Sequence, residues 1–213
     1  MTVLEATRVR PVGLAGERRV PLVGPLGGLV PGGGVQRGTV VSVAGPPGAG
    51  STSLMLGLVA SATAAGEWAA IVDTDGRVGG VAAAEAGVVL ERLAVVRSLP
   101  AGTWSRVVAT LLEGVSLVAA VLGERVSPAD ARRLTARARE RGAVLVVAET
   151  VDAAQHRSRW PGEAAVRLSV EASEWSGLGQ GTGLLGTRVM RVTASGRGAA
   201  GMSRTVDICG LAS

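Results

Sequence analysis

Thr39-Val40-Val41-Ser42-Val43-Ala44-Gly45-Pro46-Pro47-Gly48-Ala49-Gly50-Ser51-Thr52 is the stretch on which the fold of this chain turns. A short β-branched run enters a glycine-rich turn, and the Leu-, Ala- and Met-rich residues Thr52 to Ala65 continue as a helix that Gly66 stops. Strand, loop and helix follow in the order of a phosphate-binding loop. Gly45 to Thr52 fits the pattern G-x-x-x-x-G-K-[ST] at Gly45, Gly50 and Thr52, with a further glycine at Gly48, but Ser51 stands at the lysine position. In a working loop the backbone N–H groups cradle the phosphates, and the lysine neutralises the β/γ oxygens as transfer proceeds. Serine offers one hydrogen bond and no charge. All 22 basic residues of the chain are arginine, so no other lysine substitutes for it. The loop therefore reads as a nucleotide-site scaffold that has lost hydrolysis, and no cofactor is expected in it. A retained strand-to-helix turn that folds without ligand and a loop with residual ATP or anion binding are both open readings.

Strands and helices alternate onward from the loop. Trp68 to Asp73 is an apolar strand ending in the turn Asp73-Thr74-Asp75-Gly76. Val81 to Gly87 reads as helix, Leu93 to Arg97 as strand, and Thr103 to Leu112 as a helix that Thr103 can cap. Val115 to Leu122 suits a strand buried on both faces. Ser127-Pro128-Ala129-Asp130 opens a helix with a cap, a proline at its first position and an acid in its first turn; Gly142 closes it, and Ala143 to Ala148 is the next strand. Such repetition predicts an α/β fold, mainly a parallel sheet with helices on both faces. After Glu149 the pattern becomes strict alternation in Val166 to Glu171 and again in Thr205 to Cys209, as in half-exposed antiparallel strands, with glycine-laden Gly177 to Gly186 as a hairpin connection. The predicted organisation is an irregular segment over residues 1–34 and a single domain over 35–213, with 160–213 as an antiparallel tail.

Composition bounds the partners. The chain has 213 residues, enough for one good core, and that core must be aliphatic because there is no Phe or Tyr. The four tryptophans, Trp68, Trp104, Trp160 and Trp175, are too few to favour a stacking platform for single-stranded bases. A net charge of +5 suits a nucleic-acid or acidic-protein partner, or equally reflects a codon bias toward arginine. One cysteine, Cys209, and one histidine, His156, argue against an internal disulfide and a metal cluster. No signal peptide is read, and the longest apolar stretch, Val107 to Gly123, is broken by Glu113-Gly114, so the expected location is the cytoplasm, without a membrane partner.

Pro25-Leu26-Gly27-Gly28-Leu29-Val30-Pro31-Gly32-Gly33-Gly34-Val35-Gln36-Arg37-Gly38, followed by the strand and the glycine loop, resembles the lead-in to the ATPase core of bacterial RecA recombinases. Ile71-Val72-Asp73-Thr74-Asp75 resembles the strand that ends in that family's catalytic carboxylate, and Glu85 to Leu93 its short helix and acidic turn. The likeness spans roughly Pro25 to Leu211. It is greatest with the shortened, lysine-less RecA-like proteins of the actinobacterial ImuA-prime group, through Ala131 to Leu134, Ala138 to Val147, Trp160-Pro161-Gly162 and Trp175 to Gly179.

The resemblance implies a RecA-like core and, through its departures, a lost activity. Val121 falls where the family places a magnesium-orienting aspartate, and Asp75 replaces a longer water-activating glutamate. Asp73 and Asp75 read equally as plain turn residues. The two DNA loops are shrunk to about Gly123–Ser127 and Val151–Arg159; the second holds Arg157 and Arg159 as candidate DNA contacts, with a solvated surface loop as the alternative. Members of the group serve as accessory factors of a mutagenic mutasome, and the resemblance implies a C-terminal region that holds its Y-family-like polymerase subunit. Trp160, Trp175, Arg188 and Arg191 are the candidate anchors there, with burial as the competing role of the tryptophans. The expected function is a non-catalytic adaptor of SOS-induced translesion synthesis, binding the polymerase-like subunit, RecA as a further candidate partner, and DNA weakly and non-specifically. The alternatives are a RecA-type ATP-binding or ATP-hydrolysing protein that uses an arginine for the lysine, and an SOS-linked cell-division inhibitor.

Overall fold

The computed structural model describes residues 19–151, 159–177, 183–184, 186–196 and 203–209. Among the described residues, ten strands fall into two sheets. β1 (Arg19–Pro21) pairs antiparallel with β2 (Gly34–Gln36) in a small two-stranded unit. The large sheet holds β3 (Val40–Gly45), β4 (Ala69–Val72), β5 (Leu93–Val96), β6 (Leu117–Val121), β7 (Val144–Thr150), β8 (Val166–Trp175), β9 (Arg188–Ser195) and β10 (Arg204–Cys209). Its spatial order is β10-β9-β8-β3-β7-β6-β4-β5, parallel from β8 to β5 and antiparallel across β8, β9 and β10. The chain is thus α/β with a mainly parallel mixed sheet, as the alternation predicts.

Four α-helices cover that sheet: α1 (Ser51–Ala64), α2 (Gly80–Glu85), α3 (Trp104–Gly114) and α4 (Pro128–Arg141). Alternate residues of the same strands point to opposite faces, so each face builds its own core. Val41, Val43, Ile71 and Val146 pack with α1 and with Ala83 of α2, whereas Val40, Val72, Val118 and Leu145 pack with α3 and α4 around Trp104 and Leu134. Helix α1 is buried along Leu54 to Thr63, because the β1–β2 unit lies over its outer side. Its buried hydroxyls are paired: Ser61 donates to the Gly57 carbonyl and accepts from Val23 N–H, and Thr63 donates to Val59 and accepts from Val89 N–H. Gly66, at φ +85°, completes the turn that ends α1, its N–H donating to Thr63 and that of Glu67 to Ala62.

Three expectations need correction. Within the segment expected to be irregular, residues 19–34 carry β1 and two short 3-10 helices, Gly24–Leu29 and Pro31–Gly33. Leu26 and Leu29 are buried there, and the Arg19 guanidinium bonds the carbonyls of Pro31 and Gly34, so aliphatic anchors and one arginine order a glycine- and proline-rich stretch. Thr103 stands at the N-cap of α3, but its backbone is already helical and its hydroxyl donates back to the Pro100 carbonyl at 2.6 Å instead of capping. The tail also contains β9, between the two strands that alternation revealed. By contrast, α4 is capped as predicted, with Ser127 Oγ accepting from Asp130 N–H at 3.0 Å and Gly142 at φ +67°. Among the described residues, no helix is long and apolar enough to cross a membrane.

Candidate functional site

The loop leaves the carboxyl end of β3, the strand between β7 and β8. Ala49 N–H bonds the Pro46 carbonyl at 3.1 Å, Gly48 and Gly50 take φ of +76° and +113°, and α1 starts at Ser51, with Leu54 N–H bonding the Gly50 carbonyl at 2.9 Å. Positive φ at Gly50 turns the chain directly into the helix, a conformation in which a side chain is strained. The Ser51 hydroxyl is buried without a hydrogen-bond partner and lies against Gly45, where an added Cβ would come within 2.8 Å of it.

Of the predicted loop residues, the tertiary fold brings Ser51, Thr52 and Asp75 to one cleft, and Gly45, Gly48 and Gly50 are not on its lining. Ser51, Thr52, Asp75 and Val121 line it together with Met55, Arg77, Val78, Ala148, Glu149 and Thr150. Val121, at the end of β6, leaves an aliphatic wall where the resemblance implies a metal-orienting acid. Asp75 pairs with Arg77 at 3.3 Å and accepts from the Thr74 hydroxyl. Asp73 faces away from this chemistry: its carboxylate is buried and accepts from Arg77 N–H and Val78 N–H, each at 3.0 Å, and from Arg97 Nε at 3.2 Å. It staples the turn after β4, which is the turn-residue reading of Asp73.

Glu149 was missed as a site residue. It ends β7 beside the loop strand, opposite Ala44 in register, and only 3% of its surface is exposed. Its carboxylate accepts from Arg159 N–H at 2.5 Å, and the Arg159 guanidinium lies 3.9 Å away and donates to the Leu122 carbonyl at 2.8 Å. The only signal in the sequence was a charged residue closing the apolar run Val144 to Ala148. Arg159, a candidate DNA contact, is therefore engaged with the ends of β6 and β7. Arg157 lies outside the described residues.

The candidate anchors part company. Trp160 is 4% exposed and packs in the α3–α4 core, which is the buried-anchor reading of that residue. Gly162 leaves room for its ring, since a Cβ there would sit 2.7 Å from the indole nitrogen. Arg191 is exposed on the outer sheet face and pairs with Asp207 across β9 and β10 at 3.1 Å. Trp175 and Arg188 are half-buried and stand directly opposite each other on β8 and β9, with the guanidinium 5.4 Å from the centre of the ring. Arg188 points at the glycine loop, donating to the Gly48 carbonyl at 2.7 Å and to Ser173 at 3.2 Å, with Ser53 Oγ at 3.4 Å. Burial pulls this guanidinium below its ordinary pKa. Trp68 is the most exposed of the tryptophans, at 53%.

Fold and site define an α/β protein whose central strand feeds a glycine loop without a basic residue at the loop's penultimate position. Residues 28–156 match the family model described as the MT3502 N-terminal domain, and the chain belongs to that family. The sequence matches no curated protein.

Proposed function

We propose that this chain is a non-catalytic adaptor on a RecA-like scaffold, of the ImuA-prime kind, acting in the cytoplasm in DNA-damage-induced translesion synthesis. Its partner on this reading is a Y-family-like polymerase subunit. A RecA-like core is supported by the glycine loop on a central parallel strand, helices on both faces and the antiparallel continuation beyond β8.

One observation carries the non-catalytic half. The cleft over the loop is lined by two carboxylates, Asp75 and Glu149, and by a single arginine, Arg77, already paired with Asp75. Each carboxylate already faces an arginine, Asp75 that of Arg77 and Glu149 that of Arg159, and Ser51 and Val121 contribute neither the charge nor the metal ligand that phosphoryl transfer needs. A surface of this kind is left to be bound. The face of β8, β9 and β10 turned away from the core presents Arg167, Glu171, Arg191 and Asp207, all exposed, and of the four candidate anchors Arg191 is the exposed one. Rim charges of this kind set partner choice and association rate.

The test is co-purification with the polymerase-like subunit from damaged cells, alongside an ATPase assay with and without single-stranded DNA. Capture that fails on Arg191→Glu in a folded protein, with ATP turnover at background, is the expected result. Capture indifferent to the tail would overturn the adaptor assignment. The second reading, an ATP-binding protein with an arginine in place of the lysine, is favoured by Arg188 at the loop; it requires turnover or nucleotide binding that disappears in Thr52→Ala and Arg188→Ala.

A further inference from the structure

We infer that the glycine loop has become an intramolecular binding site whose ligand is the Arg188 guanidinium, clasping the antiparallel tail to the first turn of α1. The inference rests on the adaptor reading only where it concerns partner capture.

Sheet order makes the clasp reachable. β9 lies two strands from β3, and Arg188 shares the inward face of β9 with Met190, Val192 and Ala194. Regular alternation of β8 from the buried Leu168 and Val170 would send Ala172 and Glu174 to the same side. A bulge between Val170 and Ala172 shifts the parity by one, so Ser173 and Trp175 turn inward while Ala172 and Glu174 stay exposed. The bulge thus assembles the other half of the arginine's surroundings, a hydroxyl and an aromatic face, on the strand opposite it. Arg188 then donates from Nη2 to both the Gly48 carbonyl and the Ser173 hydroxyl, with its guanidinium carbon over the Trp175 ring.

The loop is shaped to receive it. At Gly50 a Cβ would come within 2.3 Å of Met190 Sδ and 2.8 Å of Arg188 Nη2, so the absence of a side chain there lets both tail residues lie on the loop backbone. A cation beside the N-terminal turn of a helix is unfavourable by itself. The Gly48 carbonyl and the indole face offset part of that cost. The glycine at 50 has a use in this contact that is independent of phosphate.

Hydrogen exchange resolved by mass spectrometry on the full chain tests the clasp, with Trp fluorescence as a second readout. Arg188→Ala should raise exchange of the loop amides over residues 48–53 and of residues 173–175 by about tenfold or more, with a shift of Trp175 emission toward that of solvated indole. Gly50→Ala should loosen the same two segments from the other side. Arg191→Ala, on the outer face of the same strand, should change neither. If Arg188→Ala does not fold, Arg188→Gln, which keeps the length and a donor, should give a smaller change in the same two segments. Unchanged loop exchange in a folded Arg188 variant overturns the inference, as does equal loosening by Arg191→Ala. Protection of the wild-type loop by added Mg-ATP that vanishes in Arg188→Ala also overturns it, since the arginine would then serve a nucleotide. Loosening of both segments with polymerase-subunit capture intact supports the clasp and leaves the adaptor reading, which stands on Arg191, to the Arg191→Glu test, which separates the two.

Discussion

Replacing Asp73 by alanine should cost this protein more stability than any other change to the acidic turn after β4. The Asp73 side chain is fully buried and accepts from two backbone N–H groups, those of Arg77 and Val78, at 3.0 Å each. The truncation leaves the buried Val78 N–H and the part-buried Arg77 N–H without their partner, and an unsatisfied buried donor costs about 1–3 kcal/mol. The ion pair with Arg97 adds little, because that guanidinium is half exposed. A loss of about 3 kcal/mol is expected, which at an m-value of about 2 kcal/mol/M lowers the urea midpoint by about 1.5 M. Asp75→Ala, two residues on, removes only a partly exposed pair with Arg77 and should stay within about 0.5 kcal/mol. Equilibrium urea unfolding followed by circular dichroism measures both. A loss below about 1 kcal/mol for Asp73→Ala, or equal losses for the two acids, would refute the claim that Asp73 is a staple of the turn.

Two further outcomes follow from the packing and the charges. Trp160→Ala should lower stability by roughly 3–5 kcal/mol, as for a buried aromatic, and reduce partner capture only in proportion to the unfolded fraction; capture lost from a fully folded variant at low temperature would return Trp160 to the interface. Glu67 gives a pH dependence: burial opposes its ionisation, but the hydrogen bonds from Ser116 and Arg37 outweigh this and hold its carboxyl below the ordinary 4.5. A depressed folded value means the contribution is full above about pH 4.5 and is lost as the pH falls through the folded value, so Glu67→Gln should show a shallower fall in melting temperature over that acid range than the wild type, and an identical slope would count against it.

Much of the architecture is present in local pattern. Each strand of the parallel run is a β-branched or aliphatic stretch bounded by turn residues, and the caps at Ser127 and Gly142 and the stop at Gly66 act through their own backbone neighbours, so adjacent residues suffice to specify them. The loop signal is local too, and Ser51, Thr52, Asp75 and Val121 do meet in one cleft because parallel strands deliver all their carboxyl ends to the same edge.

The sequence by itself determined the α/β alternation, the glycine loop after its strand, and the missing lysine, since each is a statement about residues next to one another. Only the tertiary structure decided what occupies the loop and which candidates are exposed. Trp160 is buried because α3 and α4 close over it, a fact of packing that its flanking Pro161 and Gly162 do not encode. Glu149 enters the cleft because β7 is the neighbour of β3. Arg188 reaches Gly48 because β8 lies between β9 and β3 and because one bulge in β8 reverses the facing of Ser173 and Trp175. Strand order and register join residues 140 positions apart, and no local periodicity carries that information.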